Sequence, residues 1–354
     1  MSQKNKKFTT SPGIFLHPTY NKQIAVNLSD PTRYSIISPK SLELLSQLLK
    51  PMTYAQIIKL GYEQELVKDL IEEHLIVDTQ SEEYKGLFLW EYYNWQRAAF
   101  LQFSQTNLAY ADEVLGEDVS QWLSSRRSLI NSYTADESYP LRYRFPHTSN
   151  DQILKSRNNQ IDFNAIRDRR SCRSFSQKKV AFKEFETILT NSTQSVRIAE
   201  QSQTSGDPLY KFNSFYSWLS VFVYVQNVEN LKQGLYFYDV ESSKLSFIDD
   251  SLNDLLISKL VQGQEWIKGG GFCIFITVDW KRYMWTYRHA RAYINLLIQI
   301  GELAEEFLIY AYSNNLAGWL TPAVSETMAS KLFNIQDQDV DVMTFMKFGY
   351  EKKH

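Results

Sequence analysis

Residues Ile166 to Phe175 read I-R-D-R-R-S-C-R-S-F. Arg169, Ser171 and Arg173 are spaced two apart, and in an extended backbone alternate side chains point the same way. Two guanidiniums and a hydroxyl therefore converge on one spot. Arginine presents a fork of donors that fits phosphate oxygens, and a serine hydroxyl adds a further bond. The guest these groups suit is an anion, most simply a phosphate monoester. The rival reading is a solvated basic loop, and the rest of the chain decides between them.

Downstream, Phe182, Phe185, Ile188 and Leu189 fall at helical spacing. The Ser/Gln/Thr-rich run from Asn191 to Asp207 reads as a mobile loop. Strands are expected at Trp218 to Gln226 and Gly234 to Asp239, then after a turn at Leu245 to Phe247. Asn253 to Leu260 is helical. Gly269-Gly270-Gly271 precedes the apolar run Phe272 to Val278. That is a turn before a strand; it lacks the G-x-G-x-x-G pattern opening a helix, so no dinucleotide site of that kind is read here. Arg288 to Ser313 is the longest helix, with Ile294, Leu297, Gly301, Ala304, Leu308 and Ala311 as a packed stripe suited to close contact, including across a dimer. The segment from Leu316 to Pro322 reads as a turn, Glu326 to Phe333 as a short helix, and the chain closes with a strand ending near Tyr350.

Upstream, residues 1 to 30 carry Pro12, Gly13 and Pro18 and read as irregular or edge strand. Tyr34 to Ile37 is a strand. Ser38-Pro39 supplies an N-cap and a first-turn proline. Thr53 caps a second helix, and Glu63 to His74 is a third with Leu66, Val67, Leu70 and Ile71 on one stripe, followed by a strand to Asp78. Strand, three short helices and strand make a winged-helix-like module. Its third helix holds Glu63, Glu65, Asp69, Glu72 and Glu73 against Lys68 alone. An acidic helix repels a phosphate backbone, so the module reads as not nucleic-acid-binding, and peptide binding or a purely structural role remains. Trp90 to Tyr110 reads as an aromatic-rich helix and 111–160 as a polar connector or lid. The expected domains are therefore 1–80, 81–160 and 161–354.

Composition agrees. At 354 residues and 44% hydrophobic the chain can bury a large core, and its net charge of −2 gives no basic excess for nucleic acid. The two cysteines, Cys172 and Cys273, have no metal-type spacing, so no metal site is expected. No run of 18 apolar residues marks a membrane span. No signal-like apolar stretch follows the first lysines, and a cytoplasmic location is expected.

With these residues in place, 160–350 resembles the nitroreductase-like flavin enzymes, and more narrowly the branch that modifies ribosomally made peptides, the azoline dehydrogenases of the streptolysin, microcin and cyanobactin pathways. The R-x-S-x-R-x-F opening of that family stands as Arg169 to Phe175. Its G-L-Y-x-Y-[DN] signature, with a Leu a few residues on, stands as Gly234 to Asp239 with Leu245. The resemblance implies an α+β fold with an antiparallel-rich sheet, flanking helices and a long central helix. It implies FMN held by Arg169, Ser171 and Arg173, with Ser214 and the backbone of Gly318 and Trp319 near the flavin, and NADPH or NADH as electron donor. The N-terminal module is similar to the leader-peptide clamps of these pathways. The implied partners are a precursor peptide, a second copy of the chain, and other peptide-modifying enzymes.

Three departures shape the expected chemistry. The family's P-S-x-G is here Asn213-Ser214-Phe215-Tyr216. Its helical Gly-His is Gly301-Glu302. The Lys-Tyr pair of azoline dehydrogenases is Thr286-Tyr287. A phenol titrates near ~10, so without a lysine beside it Tyr287 serves as an acid better than as a base. The expected reaction is then reduction of dehydroalanine or dehydrobutyrine in a lanthipeptide to a D-amino acid, with Tyr287 as catalytic proton donor. The alternatives are thiazoline or oxazoline oxidation and a non-catalytic peptide-binding scaffold.

Overall fold

The computed structural model describes residues 6–18, 23–27, 34–82, 84–85, 119–136, 145, 148, 150–155, 161–202, 217–264, 267–288, 291–335 and 339–352. The chain divides into two compact units, Met1–Leu115 with Ala290–Tyr293, and Gly116–His289 with Ile294–His354. The expected helix from Trp90 to Tyr110 lies outside the described residues, as do Ser214, with its Asn213–Tyr216 motif, and His289.

In the first unit the strands are β1 (Lys7–Thr10), β2 (Ile14–Pro18), β3 (Gln23–Asn27) and β4 (Tyr34–Ile37). They are followed by α1 (Pro39–Gln47), β5 (Met52–Thr53), α2 (Tyr54–Lys59), α3 (Gln64–Glu72) and β6 (Ile76–Asp78). The early segment is more regular than its prolines suggest. Pro12 and Gly13 make the turn between β1 and β2, and β1 is the central strand of the sheet β5-β1-β6, not an edge. A second sheet runs β2-β3-β4. The capping signals act as read. The Ser38 hydroxyl accepts from the Ser41 amide at 3.0 Å, and Thr53 with Gln56 closes a capping box. Leu44, Leu48, Ile57 and Val67 are fully buried between the helices and the sheets.

The second unit opens with α4 (Val119–Asp136), an 18-residue helix within the stretch read as a helical connector or lid, then β7 (Gln152–Ile153) and α5 (Phe163–Asp168). Next come α6 (Phe182–Ser192), α7 (Gln194–Ser202), β8 (Leu219–Val225), β9 (Gly234–Asp239) and β10 (Lys244–Asp249). The chain continues through α8 (Asp254–Leu260), β11 (Phe272–Asp279), α9 (Trp280–Thr286) and α10 (Ala292–Ser313). It ends with β12 (Ala317–Thr321), α11 (Glu326–Leu332) and β13 (Val340–Gly349). Seven antiparallel strands form one sheet in the order β12-β13-β11-β8-β9-β10-β7, as an antiparallel-rich α+β fold requires. Every residue of β8, β9 and β11 is buried, and Phe222, Phe275 and Phe333 stack through the core.

Two elements differ from their sequence reading for identifiable reasons. Part of the Ser/Gln/Thr-rich run is α7, because Val196 and Ala199 bury one turn apart and Arg197 donates to the Val240 carbonyl at 3.1 Å. On α10 the buried stripe is Leu296, Ile300, Leu303, Phe307 and Ala311. Leu297 and Ile298 instead stand 44% and 55% exposed, and nothing lies within 4 Å of where a Gly301 Cβ would sit. The expected stripe thus begins on the outward face and joins the core only at Ala304.

Candidate active site

The segment from Arg169 to Phe175 follows α5 and runs extended. Cys172 is buried at 4% exposure, whereas Ser171 and Arg173 are exposed and Arg169 is half-buried. Ser171 and Arg173 thus face outward and the Cys172 thiol inward, while Arg170 is exposed as well and Phe175 is buried. Burial pushes the Cys172 thiol up, and the negative charge of Glu351 adds to it.

Backbone bonds hold this arm in place. The Cys172 N–H donates to the Gly318 carbonyl at 3.0 Å. The Tyr312 hydroxyl donates to the Arg170 carbonyl at 2.5 Å and accepts from the Gly318 N–H at 3.0 Å. Farther along, the Ser176 N–H donates to the Tyr350 carbonyl, and the Lys352 N–H to the Ser174 carbonyl, both at 2.9 Å. Phe175 bridges Glu351 in antiparallel fashion. The C-terminal end of β13 thus brings the exposed Lys352 beside the arm, a third cation that the sequence motif did not point to. Burial raises the Tyr312 pKa, while its bond to the Gly318 backbone and the Arg169 charge oppose the rise.

The glycine turn supports the same region. Gly269 and Gly270 have φ of 76° and 81°, a backbone state that favours glycine. A Cβ on Gly269 would stand 2.8 Å from the Phe175 carbonyl oxygen. The triple glycine is therefore a close-approach turn packed beneath the arm.

Gly318 and Trp319 lie on the edge strand β12, not in a turn. In an antiparallel edge strand, alternate residues direct their N–H and C=O outward. Gly318 does so, but its N–H is taken by Tyr312 and its C=O by Cys172. Trp319, paired with Lys347, is 4% exposed and packs edge-on against Phe345 at 5.8 Å, so its side chain belongs to the core. The next outward-directed residue on this edge is Leu320, which is 38% exposed.

Tyr287 sits elsewhere. It is the C-cap of α9, at φ −118° and ψ 96°, with its ring 5.6 Å from Trp218 and 5.2 Å from Tyr283. Trp218 in turn donates to Gln299 at 2.9 Å, and Arg282 pairs with Glu200 at 3.3 Å in full burial. Burial, with Tyr287 adding, raises the Tyr283 pKa and keeps it a phenol. Thr286, at the position of the family's lysine, is 1% exposed and donates to the Arg282 carbonyl of its own helix at 3.1 Å. It has neither the chemistry nor the orientation to replace a base.

Register fixes how far apart the two groups are. Gly318 pairs with Phe348, Phe348 with Phe272, and Phe272 with Val225. Trp218, under Tyr287, lies beyond the other end of β8, where its carbonyl accepts from Asp279. At ~3.4 Å per residue the arm and Tyr287 are roughly 20 Å apart along the strands of one copy. The structure brings together Arg169, Ser171, Arg173 and Gly318, and leaves Tyr287 at the opposite end.

Two exposed guanidiniums, a hydroxyl and a nearby lysine on a backbone pinned at both ends suit a phosphate dianion, the group that terminates FMN. Comparison with known proteins places the chain in a family. The Nitroreductase family matches residues 166–350. The chain is 28% identical over 286 residues, 77% of each protein, to the trifolitoxin operon protein TfxC of Rhizobium leguminosarum bv. trifolii. Among solved structures, a putative nitroreductase from Anabaena variabilis shares 21% identity over 53% of this chain and 38% of its own, with a TM-score of 0.45. The E. coli microcin synthetase McbBCD complex with truncated pro-MccB17 shares 15% over 70% of this chain and 99% of the matched one, with a TM-score of 0.41. On the match that spans the arm at Arg169 to Phe175, the central sheet and the last strand, this chain belongs to the nitroreductase family.

Proposed function

We propose that the chain is an FMN-dependent oxidoreductase that reduces dehydroalanine or dehydrobutyrine residues in a ribosomally made peptide, as in lanthipeptide maturation. The observation that carries the flavin half is the arm at Arg169, Ser171 and Arg173, held outward by the Cys172–Gly318 bond. The peptide half rests on the motif resemblance and on the relative from a toxin operon. FMN held by Arg169, Ser171 and Arg173 would supply hydride chemistry for the side-chain carbon of the dehydro residue, with NADPH or NADH as the electron source. Tyr287 gives its phenolic proton to the α-carbon, so the double bond gains two hydrogens in all. A buried Thr286 in place of a basic neighbour favours this direction over thiazoline or oxazoline oxidation. We place the reaction in the cytoplasm, where reduced nicotinamide is supplied.

The roughly 20 Å between the arm and Tyr287 calls for a second copy. We propose a homodimer that packs through the outward face of α10 at Leu297, Ile298 and Gly301, with Tyr287 of one copy serving the flavin of the other. The first experiment is mass spectrometry of a dehydroalanine-containing precursor peptide incubated with protein, FMN and NADPH. A gain of two hydrogens per converted residue supports reduction. A loss of two hydrogens from an azoline peptide supports the oxidative alternative.

A further inference from the structure

Tyr287 stands on a buried tryptophan. Tyr283 and Tyr287 lie one helical turn apart at the end of α9, so their rings share a face. Both meet Trp218, at centroid separations of 4.9 and 5.6 Å and interplanar angles of 62° and 80°. Trp218 is fully buried, whereas Tyr287 is half-buried. The indole is thus the floor against which the Tyr287 ring stands edge-on. The same residue fixes the start of α9. Its carbonyl accepts from the Asp279 N–H at 2.8 Å, and the Asp279 side chain caps the helix. Tyr287 itself is the C-cap, where the helix no longer dictates the backbone, so the direction of its ring depends on what it stands against.

Gln299 holds the indole. The Trp218 Nε1–H donates to the Gln299 side-chain oxygen at 2.9 Å, a bond between residues 81 apart in sequence. Gln299 is 6% exposed and sits on α10 beside Leu296 and Ile300 of the buried stripe. A polar side chain in that position is unfavourable unless bonded, and an apolar residue would avoid the cost. What the bond adds is direction, since a satisfied polar contact fixes the tilt of a buried ring where apolar packing alone does not. Tyr283 is held from the same helix, through a bond to the Leu296 backbone.

We propose that Gln299 and Trp218 are positioning residues that aim the Tyr287 phenol at one face of the substrate α-carbon. Gln299 orients the indole, and the indole orients the phenol. The direction of the phenol then decides which face of the α-carbon receives the proton. This rests on the reading of Tyr287 as proton donor and adds the residues that set the handedness of the product.

The test is conversion of a dehydroalanine peptide free of alanine by wild type, Gln299→Met, Gln299→Glu and Tyr287→Phe, followed by hydrolysis and chiral separation of the alanine formed. Wild type is expected to give one enantiomer. Gln299→Met fills the space without an acceptor for the indole. It should give a mixture of D- and L-alanine, with kcat lowered roughly 10- to 100-fold at an unchanged KM. Gln299→Glu keeps an oxygen acceptor and should restore both the rate and the single enantiomer. Bleaching of bound flavin by NADPH, which takes no proton from Tyr287, should be the same in all of them. A second readout needs neither flavin nor peptide. With carbon-13 tyrosine, the Tyr287 signal, assigned by its loss in Tyr287→Phe, should move in Gln299→Met and return in Gln299→Glu. One enantiomer from Gln299→Met overturns the proposal, whether the variant is fast or slow, because a merely structural bond would cost rate without handedness. If Gln299→Met does not fold, Trp218→Phe keeps a ring beneath Tyr287 without the N–H and should give the mixture; one enantiomer from it overturns the proposal equally. Tyr287→Phe that converts the peptide as wild type does sinks the proton-donor reading and this proposal together. A wild-type-like Gln299→Met beside an inactive Tyr287→Phe sinks this proposal alone.

Discussion

The Cys172 amide donates to the Gly318 carbonyl across 3.0 Å, and this bond joins the arm at Arg169 to Phe175 to the edge of the seven-stranded sheet. Tyr312 reinforces it by bridging the Arg170 carbonyl and the Gly318 amide. Tyr312→Phe removes both side-chain bonds and leaves two backbone groups unsatisfied. It should cost about 1–3 kcal/mol of stability and weaken FMN binding severalfold. Thermal melting with flavin titration checks this; unchanged affinity would mean the arm orders itself without Tyr312.

A shared site predicts complementation. Arg173→Ala spoils the arm and Tyr287→Phe the proton donor, so each variant alone should reduce substrate poorly. If Tyr287 serves the flavin of the other copy, a mixed dimer contains one intact site. Mixing the two inactive proteins and allowing exchange should then restore activity. No recovery despite demonstrated exchange would place the two residues in the same site of one copy.

Glu306 on α10 gives a pH signature. Burial, helped by the negative charge of Glu302, pushes its pKa from 4.5 to about 7. A carboxyl with a raised folded pKa favours folding in its protonated form. Its contribution is complete below 4.5 and lost as pH rises through about 7. At pH near ~8, Glu306→Gln should stabilise the protein by about 1–2 kcal/mol after allowance for solvent screening, with little effect near pH ~4. Paired denaturant melts at the two pH values test the sign.

Lys347 is fully buried on β13, with its ammonium on the Gln226 side-chain oxygen and Gln226 donating to Asp254 at 2.6 Å. Burial lowers its pKa, so folding opposes the charged form. Relative to Lys347→Met, the wild type should gain stability as pH rises from the folded pKa toward 10.5, where the unfolded chain still binds the proton. Gln226→Leu, which leaves the cation without its acceptor, should cost about 3–5 kcal/mol, more than Lys347→Met. The opposite order in a melting series would show that the ammonium has another buried partner.

The α+β fold could be read from the chain because its cues are local. The strands at β8, β9 and β11 are short apolar runs, and Ser38 and Thr53 announce their helices by capping chemistry. What escaped depends on contacts distant in sequence. Tyr312 and Lys352 join the site only because α10 and β13 return to residues 170–174. The strand at Gly318 was read as a turn because glycine and proline flank it, while its pairing partner lies some 30 residues on. The outward turn of Leu297 reflects which side of α10 the sheet covers, and helical period alone does not choose that side.

The most direct test is the visible spectrum of the purified protein, wild type beside Arg173→Ala, each titrated with FMN. One lost charge-assisted contact to phosphate, about 1.5–3 kcal/mol, should weaken binding roughly 10- to 100-fold. The account predicts a yellow wild type that bleaches with NADPH under anaerobic conditions, and a variant that releases its flavin. A colourless wild type that FMN does not reconstitute would contradict it and leave a peptide-binding scaffold as the function of the chain.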